Sequence, residues 1–200
     1  DDLSFGSMEN ISHNLQNPNF RFIECNILDE KRLAEAISNS DIIIHLAAVK
    51  KISESESSFP TLWVNVRGTE NVFKVAKKSN SKIIFASTSD VYGMSESIPF
   101  REDGDSLIGP SMFKRWSYAV SKLYCEQLAF GYFKEHKVPT VILRYFGGFS
   151  VRSSFLWSGG HLPIFVKKIL DNEEILIHGD GSQTRSMAYV SDLVDGTILA

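Results

Sequence analysis

Four short apolar runs, separated by longer stretches of helical periodicity, constrain this chain more than any other feature. "FRFIEC" (20–25), "DIIIHL" (41–46), "KIIFAS" (82–87) and "PTVILR" (139–144) each have the length and β-branched character of a strand. "DIIIHL" and "KIIFAS" are apolar at nearly every position, as strands covered on both faces are. Between the runs lie helical patterns at 29–38, at about 60–79 and at about 116–136. The middle one carries Leu62, Val66, Thr69, Val72, Phe73 and Ala76 on its expected inner face. This βαβαβαβ rhythm predicts an α/β fold. Right-handed crossovers make it a Rossmann-type, doubly wound parallel sheet.

After residue 146 the texture changes. "GGFSVRSSFLWSGG" reads as loop. A helix is expected at about 163–171, then a short strand "EILIHG", a tight "GDG" turn and a further helix from about Ser191. The expected division is a partial dinucleotide-binding domain over 1–146, part of a substrate-binding region over 147–186, and a return to the first domain over 187–200.

Composition excludes several classes. The net charge is −3 with no basic block, so phosphate-driven nucleic-acid binding has no support. The five histidines are scattered and no CxxC occurs, so no metal is expected. Two cysteines do not make a disulfide scaffold and fit a reduced, cytoplasmic protein. The longest apolar stretch, "DIIIHLAAV", is too short to span a bilayer, and no signal peptide is recognisable. The chain starts without methionine and stops within a helical pattern, so a fragment of a longer protein is expected. None of this separates an enzyme from a binding module.

The strand ends do. In open parallel sheets, ligands bind beyond the carboxyl ends of the strands. There this chain places "LAAVK", "STSDVYG" and "YFGG", which are small or hydroxyl residues with a lysine or aromatic close behind. Tyr118 and Lys122 are four apart on the following helix and share a face. A nearby ammonium is expected to lower the tyrosine pKa, and a tyrosine so tuned can take a proton from a substrate hydroxyl. Thr88 at the neighbouring strand end can hold that hydroxyl. Alone, each feature has a bland reading: a surface YxxxK, a Ser/Asp turn, a satisfied Asn65 inside a packed helix. Together, in this order and at these element ends, the chemical reading is the stronger one.

The set "HLAAVK", "NVRGTENV", "FASTSDVYG", "YAVSK", "LRYF" and "HGDGSQTRSMAYVSDLVDG" resembles the extended short-chain dehydrogenase/reductases. More narrowly, it resembles the NAD-dependent nucleotide-sugar epimerase/dehydratase family, whose best-known member is UDP-glucose 4-epimerase. The resemblance implies NAD as cofactor, a nucleotide sugar (a UDP-sugar) as substrate, and a homodimer built through the helices near 60–79 and 116–136. It makes Tyr118 the base, Lys122 its tuning group and nicotinamide-ribose ligand, and Thr88 the partner of the reacting hydroxyl. Asp1 and Asp2 fall on the adenosine ribose, where an acidic residue favours NAD over NADP. Asn26 and Ile27 match the adenine-contacting pair, which usually begins with Asp. Leu46, Ala47, Ala48, Lys50 and Asn65 line the cofactor. Tyr145 and Phe146 fall near nicotinamide and sugar, and Ser89 and Asp90 beside the sugar. His161 and Leu162 match a pair at the nucleotide base, and Arg185 the arginine on the diphosphate.

Three departures matter. No GxxGxxG occurs, so the cradle for the pyrophosphate is missing and residues 1–200 alone are expected to bind NAD poorly. Gly147 stands where epimerases often carry Asn. Ser89-Asp90 differs from the Asp-Glu of 4,6-dehydratases and lies between the small neutral residues of epimerases and the Ser-Glu of nucleotide-sugar decarboxylases. The resemblance implies a 4-epimerase working through a 4-keto sugar. A dehydratase or UDP-glucuronate decarboxylase is the alternative, and a non-catalytic dinucleotide-sensing scaffold a third.

Overall fold

Three of the four apolar runs pair into one sheet. The computed structural model describes residues 1–50, 57–153, 160–177 and 179–200. In it β1 (Ile42–His45), β2 (Lys82–Thr88) and β3 (Thr140–Tyr145) run parallel in the order β1-β2-β3. Ile43 is in register with Ile83, and Ser87 with Arg144. The crossovers are helices, α2 (Phe59–Ser79) between β1 and β2 and α3 (Ser117–His136) between β2 and β3. α1 (Glu30–Ile37) precedes β1, and its N-cap Asp29 accepts a hydrogen bond from the Arg32 N–H at 3.0 Å.

Leu33, Ile43, Val72, Phe73, Ile83, Phe85 and Cys125 meet in one buried cluster, so α1, α2 and α3 all pack toward the same face of the sheet. Alternate strand residues face the other way. That corrects one expectation: Ile42 and Ile44 are 54% and 47% exposed, so β1 is covered on one face only among the described residues. β2 is buried along almost its whole length. The inner face of α2 is also more polar than expected. Thr61, Asn65 and Thr69 are buried beside Val72, Phe73 and Ala76, while Leu62 and Val66 are only partly buried. These small and polar residues let α2 pack closely on α3.

"FRFIEC" forms no ladder. Its Cys25 N–H donates to the Asp1 carbonyl at 2.9 Å, and no described strand lies beside it.

Beyond β3 the chain read as loop forms a strand. β4 (Gly147–Phe149) pairs in parallel with β5 (Met187–Tyr189). Of the remaining loop stretch, 154–159 lies outside the described residues. α4 (His161–Leu170) begins slightly earlier than expected. The expected strand "EILIHG" forms no ladder over 174–177, because no described strand lies alongside; residue 178 lies outside the described residues. α5 (Val190–Leu199) follows β5 directly and ties back to the sheet. Tyr145 Oη and Thr197 Oγ1 are 2.6 Å apart, and Lys82 Nζ donates to the Ala200 carbonyl at 2.7 Å. Among the described residues no helix is long and apolar enough to cross a membrane.

Candidate active site

A cavity of about 420 Å³ opens at the carboxyl ends of the strands. Leu46 and Lys50 reach it from beyond β1, and Thr88, Ser89 and Asp90 from the end of β2. Tyr118 and Lys122 enter from the first turns of α3, and Tyr145 and Phe146 from the end of β3. His161 and Leu162 come from the start of α4, and Arg185 from just before β5. Twelve residues singled out along the sequence thus share one hollow.

Local structure explains each placement. Thr88 is still extended (φ −153°, ψ 151°), and its hydroxyl accepts from the Asp90 N–H at 3.2 Å, which starts the 3-10 turn Ser89–Tyr92. Its own O–H remains available to donate. Tyr118 lies in the first turn of α3, and among the described residues its phenol oxygen has no hydrogen-bond partner. Lys122, one turn on, is buried, donates to the Ala86 carbonyl at 2.6 Å and lies 4.8 Å from the Phe85 ring centre. Lys50 pairs with Asp90 at 2.9 Å and sits 5.0 Å above the Tyr118 ring.

The expected lowering of the tyrosine pKa is overturned. Burial, helped by the Asp90 charge, pushes Tyr118 up to about 12. The Lys122 ammonium is turned to the Ala86 carbonyl and stays 5.8 Å from the tyrosine ring centre. Burial pushes Lys122 itself down to about 8. In this chain the phenol is therefore held protonated near neutral pH.

The remaining expected residues lie off the cavity. Asn65 is buried, and its amide accepts from Val49 N at 2.7 Å and donates to Val49 O at 2.9 Å and Ser121 Oγ at 3.0 Å. It holds the 46–50 loop, including Ala47 and Ala48, against α3 from beneath. Ser121 in turn donates to the Tyr118 carbonyl at 2.7 Å, so the loop and the tyrosine turn are tied together. Asp1, Asp2, Asn26 and Ile27 gather elsewhere. Asp2 accepts from Asn26 Nδ2 at 2.7 Å and from Ser4 Oγ at 2.6 Å, and the Ser4 bond holds its carboxyl below the usual range. Asp1 accepts from the Leu3 N–H at 2.6 Å. Ile27 packs into a notch over Gly68, where a Cβ would lie 2.2 Å from Ile27 Cδ1. Asp1 and Ile27 both border a second cavity of about 510 Å³.

Gly147 also has a steric reason. A Cβ there would meet Met187 Sδ at 2.6 Å and the Ser186 carbonyl at 2.9 Å, so a larger residue at this position requires the β4–β5 contact to shift.

Sequence reasoning missed Ser87, Glu126 and Arg144. Glu126 is buried and bonded to both of the others. The available signal was spacing: Tyr118, Lys122 and Glu126 recur every four residues. It also gave no role to His45, which is buried, bonded to Thr69 Oγ1 at 2.9 Å and pushed down to about 3 by burial and by Lys122.

The strand-end cavity pairs small residues with a buried ammonium and a phenol, which suits the nicotinamide end of NAD, whereas the second hollow is mostly apolar, with Asp1 the one carboxylate on its lining. Between them, among the described residues, no glycine-rich turn is present. Sheet and cavity together define a Rossmann-type α/β protein with a tyrosine–lysine pair at its strand ends. More narrowly, the chain belongs to the NAD dependent epimerase/dehydratase family, whose model matches residues 3–200.

The chain is 39% identical over 183 residues to a UDP-N-acetyl-alpha-D-glucosaminuronate decarboxylase of Bacillus cytotoxicus, covering 91% of this chain and 56% of that one. It resembles the structure of UDP-N-acetylglucosamine 4-epimerase from Methanobrevibacter ruminantium in complex with UDP-N-acetylmuramic acid. There the identity is 30% and the TM-score 0.85, over 100% of this chain and 63% of the other. UDP-glucuronic acid 4-epimerase from Bacillus cereus, solved with UDP-glucuronic acid and NAD, matches at 31% identity and TM-score 0.82, over 96% and 58%. The chain spans about half the length of the curated relatives it matches.

Proposed function

We propose that the whole protein is an NAD-dependent enzyme that oxidises a UDP-sugar at C4, that its substrate is a UDP-hexuronate, and that the outcome is decarboxylation. The observation that carries the C4 chemistry is the convergence of Thr88, Tyr118 and Lys122 on one cavity. The relative at 39% identity supports the uronate and the outcome. Residues 1–146 and 187–200 form the dinucleotide side in this reading, and 147–186 the sugar side.

Bound NAD supplies a hydride acceptor whose cationic ring also favours the tyrosine phenolate. Asp1, Asp2 and Asn26 hold its adenosine end, and Lys122 and Phe146 its nicotinamide end. Thr88 holds the sugar hydroxyl and Tyr118 takes its proton. Arg185 grips the diphosphate, and His161 and Leu162 the base, so that binding energy away from C4 holds the keto sugar in place. In a 4-keto hexuronate the C6 carboxyl is β to the ketone. The C5–C6 bond would break and its electron pair pass into the enolate as carbon dioxide leaves; a proton taken up at C5 would give the 4-keto pentose, and return to C4 of the hydride first taken from it would give the pentose and restore NAD. Epimerisation at C4 uses the same ketone and is the second reading, supported by the likeness to two 4-epimerases.

Incubation of the whole protein with UDP-N-acetylglucosaminuronate, UDP-glucuronate and UDP-glucose, read by NMR, tests this. Carbon dioxide and a pentose product are expected. A C4 epimer with its carboxyl retained selects the second reading. No turnover of any nucleotide sugar, with NAD bound, returns the protein to a sensing scaffold. The oligomer in this reading is a homodimer through the outer faces of α2 and α3, where Trp63 and Tyr124 are 51% and 52% exposed. Sedimentation of the wild type as a dimer, and of Trp63→Glu as a monomer, is expected.

A further inference from the structure

Tyr118, Lys122 and Glu126 follow one another at four-residue intervals along α3 and so share one face of it. The first two reach the cavity. The third is 3% exposed and stands behind the cavity wall. Its Oε1 accepts from Ser87 Oγ at 2.5 Å and from Arg144 Nε at 3.0 Å, and its Oε2 accepts from Arg144 Nη2 at 2.8 Å. Arg144 Nη1 donates to the Glu102 carbonyl at 3.1 Å, and the guanidinium lies 4.9 Å from the Tyr92 ring centre. The bonds to Glu126 hold the Arg144 guanidinium above its ordinary range.

One carboxylate from α3 therefore grips two strands at once. Ser87 and Arg144 are register partners across β2 and β3, so the grip closes on a single rung of the sheet. That rung has neighbours with tasks. Ala86, before Ser87, offers the carbonyl that receives Lys122 Nζ at 2.6 Å. Thr88 follows Ser87 and Tyr145 follows Arg144, and both line the cavity. A buried ion pair gains little stability over an apolar pair of the same volume, but a fully bonded one admits few alternative geometries. Both Glu126 oxygens and three of the five Arg144 N–H groups are bonded, and the network lies where geometry is critical.

We propose that Glu126 is a positioning residue: through Ser87 and Arg144 it fixes the ends of β2 and β3 against α3, which sets the Ala86 carbonyl under Lys122 and holds Thr88 and Tyr145 on the cavity wall. The inference rests on the proposed C4 chemistry, because Lys122 and Thr88 matter through that reaction.

Ser87→Ala is the decisive variant, since it cuts one arm of the grip and leaves the Glu126–Arg144 pair intact. The double variant Glu126→Gln/Arg144→Met removes the charges together, so no buried charge is left unpaired. In the whole protein both are expected to keep their thermal midpoint close to the wild type and to lose about tenfold to a hundredfold in kcat. KM for the nucleotide sugar stays within about twofold. Wild-type kcat in Ser87→Ala overturns the proposal. So does a raised KM at unchanged kcat, which would make Ser87 a direct substrate contact.

A second readout does not need turnover. In protein carrying 13C-lysine, the signal removed by Lys122→Arg reports the titration of Lys122. Loosening the rung admits water, so in Ser87→Ala the midpoint is expected to rise toward the ordinary lysine range. If no nucleotide sugar turns over, this readout alone decides: a raised midpoint upholds the positioning role while the reaction assignment falls, and an unchanged midpoint overturns it.

Discussion

Tyr118 sits in surroundings that oppose its ionisation. Burial and Asp90 hold the phenol protonated, and the Lys122 ammonium is engaged by a backbone carbonyl. Its oxygen has no hydrogen-bond partner among the described residues, so removing it leaves no buried group stranded. Tyr118→Phe is therefore expected to keep the thermal midpoint and to lower kcat by about a hundredfold to ten-thousandfold. Near-normal turnover in that variant would remove Tyr118 from the role of base. His45 gives a prediction in pH. Burial and the Lys122 charge push it down to about 3, whereas in the unfolded chain it titrates at its ordinary 6.5. Between those values the unfolded state binds the extra proton, so stability falls as the pH drops through that window and is level above it. Urea midpoints measured from about pH 7 to about pH 4 should fall more steeply for the wild type than for His45→Gln. Equal slopes would mean that His45 is not buried neutral. Tyr118, Lys122 and Thr88 were legible in the sequence because helical spacing and strand ends are local properties. The sign of the tyrosine shift was not, because it depends on which way the Lys122 ammonium turns and on Asp90, and the folded chain decides both.

Among the elements, helices were read with near-correct bounds and strands only in part. α1, α2, α4 and α5 carry their own periodicity, Asp29 announces its own helix, and α3 was legible from its length between two strand-like runs rather than from an apolar face. A strand exists only when another lies beside it, and no local pattern supplies that. "FRFIEC" and 174–177 look like strands and pair with nothing described, whereas Gly147–Phe149 looks like loop and pairs with Met187–Tyr189. Gly147 is small because that pairing is close: a Cβ would meet both the Ser186 carbonyl and Met187 Sδ. Gly147→Asn, which would match the residue common in epimerases, is thus expected to destabilise the protein by about 1–3 kcal/mol through overpacking. Urea unfolding measures it. A variant as stable as the wild type would show that β4 can move away from β5 at no cost.

At the scale of the whole molecule, the residues that the family resemblance assigns to the two ends of a dinucleotide fall at two separate hollows. One holds Tyr118 and Lys122, and the other is bordered by Asp1 and Ile27. The pyrophosphate of NAD carries its negative charge between the two ends, and protein folds of this type meet it with the N–H groups of a glycine-rich helix start. Residues 1–200 contain no GxxGxxG. Of the cations that line the strand-end cavity, Lys50 is engaged with Asp90 and Lys122 with the Ala86 carbonyl, which leaves Arg185, itself bonded to the Thr184 carbonyl, to face the cavity. A chain that cannot offer those N–H groups forgoes two or more charge-assisted hydrogen bonds of about 1.5–3 kcal/mol each. That corresponds to about a hundredfold or more in Kd. Calorimetric titration of NAD into residues 1–200, beside the whole protein, should therefore give weak or unmeasurable heat for the shorter chain. Tight binding by residues 1–200 would mean that the strand ends and the Asp2–Asn26 pair suffice to hold the dinucleotide.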